Sequence, residues 1–133
     1  MSNSFKVEIV NPDKSFLSNE DVVEAVIPAF EGDMGILNDH ISIISFLKPG
    51  VVKVIGTTSD EETYYVEDGI IEFRNNCLSI LTSNIFDIKK IDKNKVRDVL
   101  AKAENESQNQ EISDEAKYLV NHKIEVLKSL TLN

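Results

Sequence analysis

The sequence has one cysteine, no tryptophan and only three prolines among its 133 residues. The single cysteine, Cys77, excludes an intramolecular disulfide and every metal site that needs several thiolates. Cys77 stands in an apolar run, where cysteine is usually buried as a small hydrophobe. No apolar run approaches the roughly 20 residues that a membrane-spanning helix needs. The sequence therefore predicts neither a disulfide-stabilised nor a membrane-spanning protein.

The sequence also lacks the motifs of common catalytic sites. It has no glycine-rich phosphate loop, no H-E-x-x-H and no G-x-S-x-G. His40 and His122 lie in halves of different character, and neither has the local companions of a catalytic triad. Acid pairs such as Glu31 and Asp33 lie in turn-like segments, and they do not supply the series of oxygens that calcium requires. We expect no catalytic residue, no metal and no cofactor.

The net charge of −9 is confined to the first part of the chain. Residues 1–86 hold five basic and fourteen acidic residues, whereas residues 87–133 hold nine of each. The first part therefore repels nucleic acids and anionic lipid headgroups. We expect no nucleic-acid partner.

Residues 1–86 read as short strands separated by turns. Residues 5–9 alternate apolar and polar side chains, which is typical of a half-buried strand. Asn75-Asn76 suits a tight hairpin turn, since asparagine tolerates the left-handed region. Further β-branched and aromatic runs cover residues 22–27, 41–46, 51–55, 63–66, 70–73 and 78–81. Many short strands at close spacing predict an antiparallel β-sandwich or barrel.

The apolar period becomes helical in residues 87–133. One stripe runs from Val96 to Ala103, and a second runs from Ala116 to Leu130. Asp92 and Ser113 are suitable N-caps, and the polar string at residues 104–111 is expected to be the loop between two helices. The predicted fold is therefore α+β, with an N-terminal antiparallel β-sandwich over residues 1–86 and a C-terminal two-helix antiparallel hairpin over residues 87–133. Whether this hairpin is static or mobile stays open, because its stripes could be buried in several ways.

A set of glycines, prolines, leucines and one histidine stands at fixed spacing between residues 28 and 50. Its members are Pro28, Gly32, Gly35, Leu37, His40, Leu47, Pro49 and Gly50. An aromatic strand leading to Gly69 and a further apolar strand follow over residues 64–73. Taken in order, with a sandwich before a helical hairpin, these elements resemble the epsilon subunit of F-type ATP synthases.

The resemblance implies a non-catalytic subunit of the central stalk, which couples proton flow through the membrane c-ring to ATP synthesis. The implied partners are the gamma subunit, the c-subunit ring and the α/β catalytic hexamer, the last through helices that inhibit ATP hydrolysis. The implied c-ring interface comprises Glu31, Gly32, Asp33 and His40. The implied gamma interface comprises Ser42, Ile43, Ile44 and Ser45. Membrane association is expected only through the complex, on the cytoplasmic face of a bacterial inner membrane.

The sequence departs from the family at two places. Asn38-Asp39 stands before His40, where the family often has Pro-Gly. Some relatives bind ATP through an I-D-x-x-R-A motif, which is degenerate here at Ile91, Asp92 and Lys95. Lysine lacks the bidentate fork of arginine, so nucleotide binding is not expected. The alternative to a stalk subunit is a free-standing β-sandwich binding module.

Overall fold

The computed structural model describes residues 4–13 and 15–131, in which nine strands precede two helices. The strands are β1 (Phe5–Val10), β2 (Ser15–Ala29), β3 (Gly32–Leu37), β4 (Ile43–Leu47), β5 (Gly50–Gly56), β6 (Glu61–Val66), β7 (Gly69–Arg74), β8 (Cys77–Thr82) and β9 (Ile85–Asp87). The helices are α1 (Lys93–Ser107) and α2 (Asp114–Thr131). The chain divides into two compact units, Met1–Asp87 and Ile88–Asn133. The predicted boundary after residue 86 lies one residue earlier, and residues 1–3, 14, 132 and 133 lie outside the described part.

The long strand β2 organises the first unit. Its first half pairs with β1, and its second half pairs with β3 on one side and β5 on the other. A further contact between Ala29 and Leu47 joins β2 to β4. The strands β1, β8, β7, β4 and β2 therefore close into a ring, from which β5, β6 and β9 extend. The pairings are antiparallel as predicted, except that β1 runs parallel to β8.

Alternation of side chains along the strands builds one core. In β1 and β5 every second residue is buried, which is the period-2 pattern of a strand with one face in the core. The core draws on both the ring and its extension, and its members include Val7, Ile9, Val22, Ile27, Ile36, Leu47, Val54, Val66, Ile71, Phe73, Leu78 and Ile80. Burial of so many branched and aromatic side chains is the main stabilising term of this unit.

Two strands were not predicted. The turn-like interpretation of the segment around Glu31 and Asp33 missed a strand, because Gly32–Leu37 forms β3 in register with β2. Only Ile36 is fully buried on β3, so the strand has little apolar pattern to reveal it. The three-residue strand β9 was missed because it is too short for any periodicity to show. The strand expected over residues 41–46 begins only at Ile43, after a turn.

The local turn and cap predictions are confirmed. Asn75 and Asn76 both have positive φ, 53° and 54°, in the hairpin turn between β7 and β8. Asp92 Oδ1 accepts the Asn94 N–H at 2.9 Å and caps α1. Ser113 Oγ accepts the Ala116 N–H at 3.1 Å ahead of α2. These signals are local, so no tertiary information was needed to find them.

The second unit consists of α1 and α2, which pack against each other. Val96 and Ala103 of α1 and Leu127 of α2 are buried. The predicted loop over residues 104–111 is too long, because α1 continues to Ser107. The polar residues of this last turn are mostly exposed, so the end of the apolar stripe does not mark the end of the helix.

Candidate protein-interaction surfaces

The predicted c-ring residues Glu31, Gly32 and Asp33 lie together where the turn between β2 and β3 passes into β3. We call residues 30–33 the acidic turn. Gly32 has a φ of 138°, which L side chains rarely adopt, so glycine is required there. The Phe30 N–H donates to the Phe46 carbonyl at 2.9 Å, which fixes the turn beside the end of β4. The side chains of Glu31 and Asp33 are exposed.

A second pair of loops reaches the same end of the sheet, because Leu47 pairs with Gly69 and Gly69 pairs with Thr82. The buried Thr82 hydroxyl donates to the Glu67 carbonyl at 3.0 Å and accepts the Glu67 N–H at 3.2 Å. Ser83 Oγ donates to Asp68 Oδ1 at 3.0 Å. These hydrogen bonds hold residues 67–69 and 82–84 together as a pair of polar loops beside the acidic turn.

His40 lies beyond the opposite end of β3. Its N–H donates to the Leu37 carbonyl at 3.1 Å, and its ring packs against Phe73, with the ring centroids 5.7 Å apart. Phe73 pairs with Ile43 at the start of β4, whereas the acidic turn contacts its end. Six residues of strand span roughly 20 Å. The structure therefore does not bring His40 together with Glu31, Gly32 and Asp33.

The predicted gamma segment, residues 42–45, is divided between two faces. Ser42 is exposed but precedes β4. Ile43 packs against the core, and Ser45 is half-buried on the same alternation. Only Ile44, whose side chain is 70% exposed, faces outward from the strand.

Sequence reasoning missed a row of apolar residues on the outer face of β1, β8, β7 and β4. Phe46 pairs with Ile70, Ile70 with Leu81, and Leu81 with Val10. Phe46, Ile70 and Leu81 are 63%, 44% and 49% exposed. We call Val10, Phe46, Ile70 and Leu81 the apolar row. The sequence does contain adjacent apolar pairs such as Phe46-Leu47 and Ile70-Ile71, in which one residue faces the core and the other faces outward. These pairs could have indicated an apolar outer face.

Charged residues follow the apolar row along the outer face of two of its own strands, β1 and β7. Lys6 Nζ lies 2.8 Å from Glu8 Oε1, and the hydrogen bond to Glu8 raises the pKa of Lys6. Arg74 Nε lies 3.9 Å from Glu72 Oε1. An apolar centre with a polar rim is the usual anatomy of a protein–protein interface.

The residues of the degenerate nucleotide motif lie at the start of α1. Asp92 Oδ1 is occupied in capping α1, and the Lys95 N–H donates to the Asp92 carbonyl at 3.0 Å. Ile91 precedes the helix. Across residues 4–13 and 15–131, no group of histidine, cysteine and acidic side chains could hold a metal ion. Within the same ranges, no helix is long and apolar enough to cross a membrane.

These observations define a class: a β-sandwich with a separate helical pair, whose exposed features suit contacts with other proteins. Residues 4–88 match the family described as "ATP synthase, Delta/Epsilon chain, beta-sandwich domain". Over 130 residues the chain is 65% identical to the ATP synthase epsilon chain of Pelagibacter ubique (strain HTCC1062), with 98% of this chain and 99% of that one covered. It is 39% identical over 104 residues to the epsilon chain of Dichelobacter nodosus (strain VCS1703A), covering 78% and 72%.

A chain in the cryo-EM structure of the Euglena gracilis mitochondrial ATP synthase, OSCP/F1/c-ring in rotational state 1, has the same fold. The TM-score is 0.74 at 21% identity, with 98% of this chain and 81% of that one covered. The chain therefore belongs to the delta/epsilon-chain family of ATP synthase subunits, and the resemblance seen in the sequence is confirmed. It is a component of that complex rather than an enzyme by itself, and the free-standing module is not favoured.

Proposed function

We propose that this chain is a rotor subunit of the central stalk, which connects a gamma subunit to the membrane c-ring. The apolar row carries the proposal, because a folded domain rarely leaves three large aligned hydrophobes exposed unless a partner covers them. Its assignment to gamma moves the predicted interface from residues 42–45 to the outer face of four strands. Of the predicted segment, Ile44 remains in the interface.

The acidic turn is proposed to contact the c-ring. Its carboxylates are exposed at the end of the sheet away from His40, and Asp68 adds a further carboxylate at that end. His40 is then assigned to the gamma side, since it packs against Phe73 beside the start of β4. The proposed c-ring contact and the proposed gamma contact thus lie at opposite ends of β3.

The helices α1 and α2 are proposed to regulate ATP hydrolysis through the α/β hexamer. They form a unit distinct from the sandwich, so they can act without disturbing its core. The complex is proposed to hold the chain on the cytoplasmic face of a bacterial inner membrane, with no direct contact between chain and lipid.

Gamma binding tests the main proposal. Ile70→Ser and Phe46→Ser should each raise the Kd for the gamma subunit about tenfold or more, because both remove apolar side chains from the centre of the surface. Tyr118→Ser is the matched control, since Tyr118 is 55% exposed but lies on α2, outside the apolar row. Equal affinities for all three variants and the native chain would refute the assignment.

Truncation tests the regulatory part. A complex reconstituted with a chain that ends at Asp87 should assemble with gamma and should hydrolyse ATP faster than the complete complex. Circular dichroism of the truncated chain verifies that its strands are folded. An unchanged hydrolysis rate in an assembled complex would show that α1 and α2 have only a structural role.

A further inference from the structure

The connection between β3 and β4 contains a turn with an unfavourable residue in it. The bond from the His40 N–H to the Leu37 carbonyl closes this turn over residues 37–40, which we call the His40 turn. Asp39, at its third position, has a φ of 63°. Turns with positive φ at this position favour glycine, because a side chain there costs roughly 1–2 kcal/mol. Aspartate adopts this region more easily than most residues with a side chain, and a contact from outside the turn would stabilise it there further.

The side chain of Asn76 supplies that stabilisation from the neighbouring β7–β8 hairpin. Its Oδ1 accepts the Asp39 N–H at 2.8 Å. Its Nδ2 donates to Asp39 Oδ1 at 3.0 Å and to Asn38 Oδ1 at 3.1 Å. The Asn76 carbonyl also accepts the Lys6 N–H at 3.0 Å, which ties the same residue to β1. Asn76 thus binds both the backbone N–H and the carboxylate of Asp39, the residue of the His40 turn that has positive φ.

The His40 turn determines where the following apolar residues lie. His40 Nδ1 is 2.7 Å from the Ile41 carbonyl oxygen, so the ring fixes the backbone on which Ile41 stands. Ile41 is 78% exposed, more than the other large hydrophobes among the described residues. Ile44 follows on β4 at 70% exposure, and Phe46 belongs to the apolar row. Ile41 is therefore an exposed apolar side chain just before β4, the strand that carries Ile44 and Phe46.

We infer that Asn76 is a positioning residue for the gamma interface. It holds the His40 turn in the conformation in which Ile41 extends the surface of Ile44 and the apolar row. The partner that suits this extension is an apolar patch of the gamma subunit continuous with the one that covers the row. This inference rests on the proposed gamma interface. Asn76 itself need not touch gamma, because it acts by reducing the ordering cost of binding.

The experiment measures the Kd of full-length variants for the purified gamma subunit. Asn76→Gly removes the clamping amide and keeps a residue that adopts positive φ freely. Asn75→Gly is the matched control, because Asn75 has the same backbone conformation in the same turn without clamping the His40 turn. We expect Asn76→Gly to raise the Kd about fivefold and Asn75→Gly to leave it within about twofold, where a factor of ten corresponds to about 1.4 kcal/mol.

Two further variants separate positioning from general stability. Asp39→Gly in the Asn76→Gly background should restore affinity to within about twofold of the native chain, because glycine makes the clamp unnecessary. Asn76→Gly combined with Ile41→Ala should bind no more weakly than Ile41→Ala alone, since both changes remove the same contact. Thermal unfolding of each variant verifies folding. Asn76→Asp, which replaces the Nδ2 donors by a carboxylate that repels the Asp39 carboxylate, takes the place of Asn76→Gly if that variant fails to fold.

The outcomes distinguish the two proposals. Weak binding by Ile70→Ser with native binding by Asn76→Gly would overturn the positioning role and leave the gamma interface intact. Native binding by both variants would overturn the gamma interface and with it the positioning role. Additive losses in the variant that combines Asn76→Gly with Ile41→Ala would show that Asn76 does not act through Ile41.

Discussion

Replacement of Gly69 by alanine should be the most damaging glycine substitution in the sandwich. Gly69 opens β7 and lies between Leu47 of β4 and Thr82 of β8. A Cβ atom there would stand 1.9 Å from the Leu81 carbonyl oxygen and 2.8 Å from Thr82 Cα, whereas ordinary contacts begin at 3.4 Å. The obstacle is backbone rather than a flexible side chain, so β8 itself would have to move.

The magnitude follows from what that movement breaks. Overpacking in a well-packed region costs typically about 1–3 kcal/mol. The displaced segment also carries the Thr82 hydroxyl, which bonds Glu67 and the Asn84 carbonyl. We therefore expect the free energy of unfolding to fall by about 3 kcal/mol. With a urea slope of about 2 kcal/mol/M, the midpoint would fall by about 1.5 M.

Urea unfolding followed by near-ultraviolet circular dichroism of Tyr64 and Tyr65 reports on the sandwich. Gly35→Ala is the control, because a Cβ on Gly35 meets nothing within 4 Å, and it should change stability by no more than about 0.5 kcal/mol. Gly50→Ala should fall between the two, since its Cβ would lie 2.6 Å from Pro28 Cβ, which belongs to a side chain. A Gly69→Ala midpoint equal to that of Gly35→Ala would refute the steric argument.

Three further predictions concern buried hydroxyls and a helix cap. Tyr65→Phe should raise the free energy of unfolding by about 1 kcal/mol in urea titrations, because the buried Tyr65 hydroxyl has no hydrogen-bond partner within the described residues. Burial raises the pKa of Tyr64 and of Tyr65. The free energy of unfolding should therefore stay constant below the ordinary tyrosine pKa of about 10 and fall as the pH rises above it. Urea midpoints measured in an alkaline pH series would reveal this fall. Asp92→Ala should lower the stability of α1 by about 1 kcal/mol in thermal melts followed by far-ultraviolet circular dichroism, whereas Asp98→Ala, an exposed mid-helix control, should not.

What could be predicted from the sequence was local. The Asn75-Asn76 turn and the Asp92 cap each depend on residues within a few positions of one another. The strand β3 was missed because its inward positions are Gly32, Met34 and Ile36, of which only Ile36 is fully buried, while Leu37 lies on the exposed face. With a glycine on the inner face and a leucine on the outer face, the sequence shows no clear alternation of apolar and polar residues.

The candidate surfaces depend on register, which the sequence does not contain. The resemblance assigned Glu31 and His40 to one interface, but an extended strand separates them by its whole length. The apolar row exists only because Phe46, Ile70 and Leu81 come from different strands and are aligned by pairing. The Asn76 clamp connects Asn76 to Asp39, which is 37 positions earlier in the chain, and to Asn38, which is 38 positions earlier. No local sequence motif could therefore have predicted it.

The different chemistry of the two proposed contacts has a consequence for a rotor. Covering half-exposed Phe46, Ile70 and Leu81 would contribute about 1 kcal/mol each at the usual value for buried apolar side chains, and this term does not depend strongly on salt. Exposed carboxylates such as Glu31 and Asp33 gain about 0–1 kcal/mol per ion pair, and salt screens that gain. The gamma contact should therefore provide the lasting attachment, while the contact at the acidic turn should exchange readily. Rising ionic strength should release the c-ring contact first and leave the chain bound to gamma.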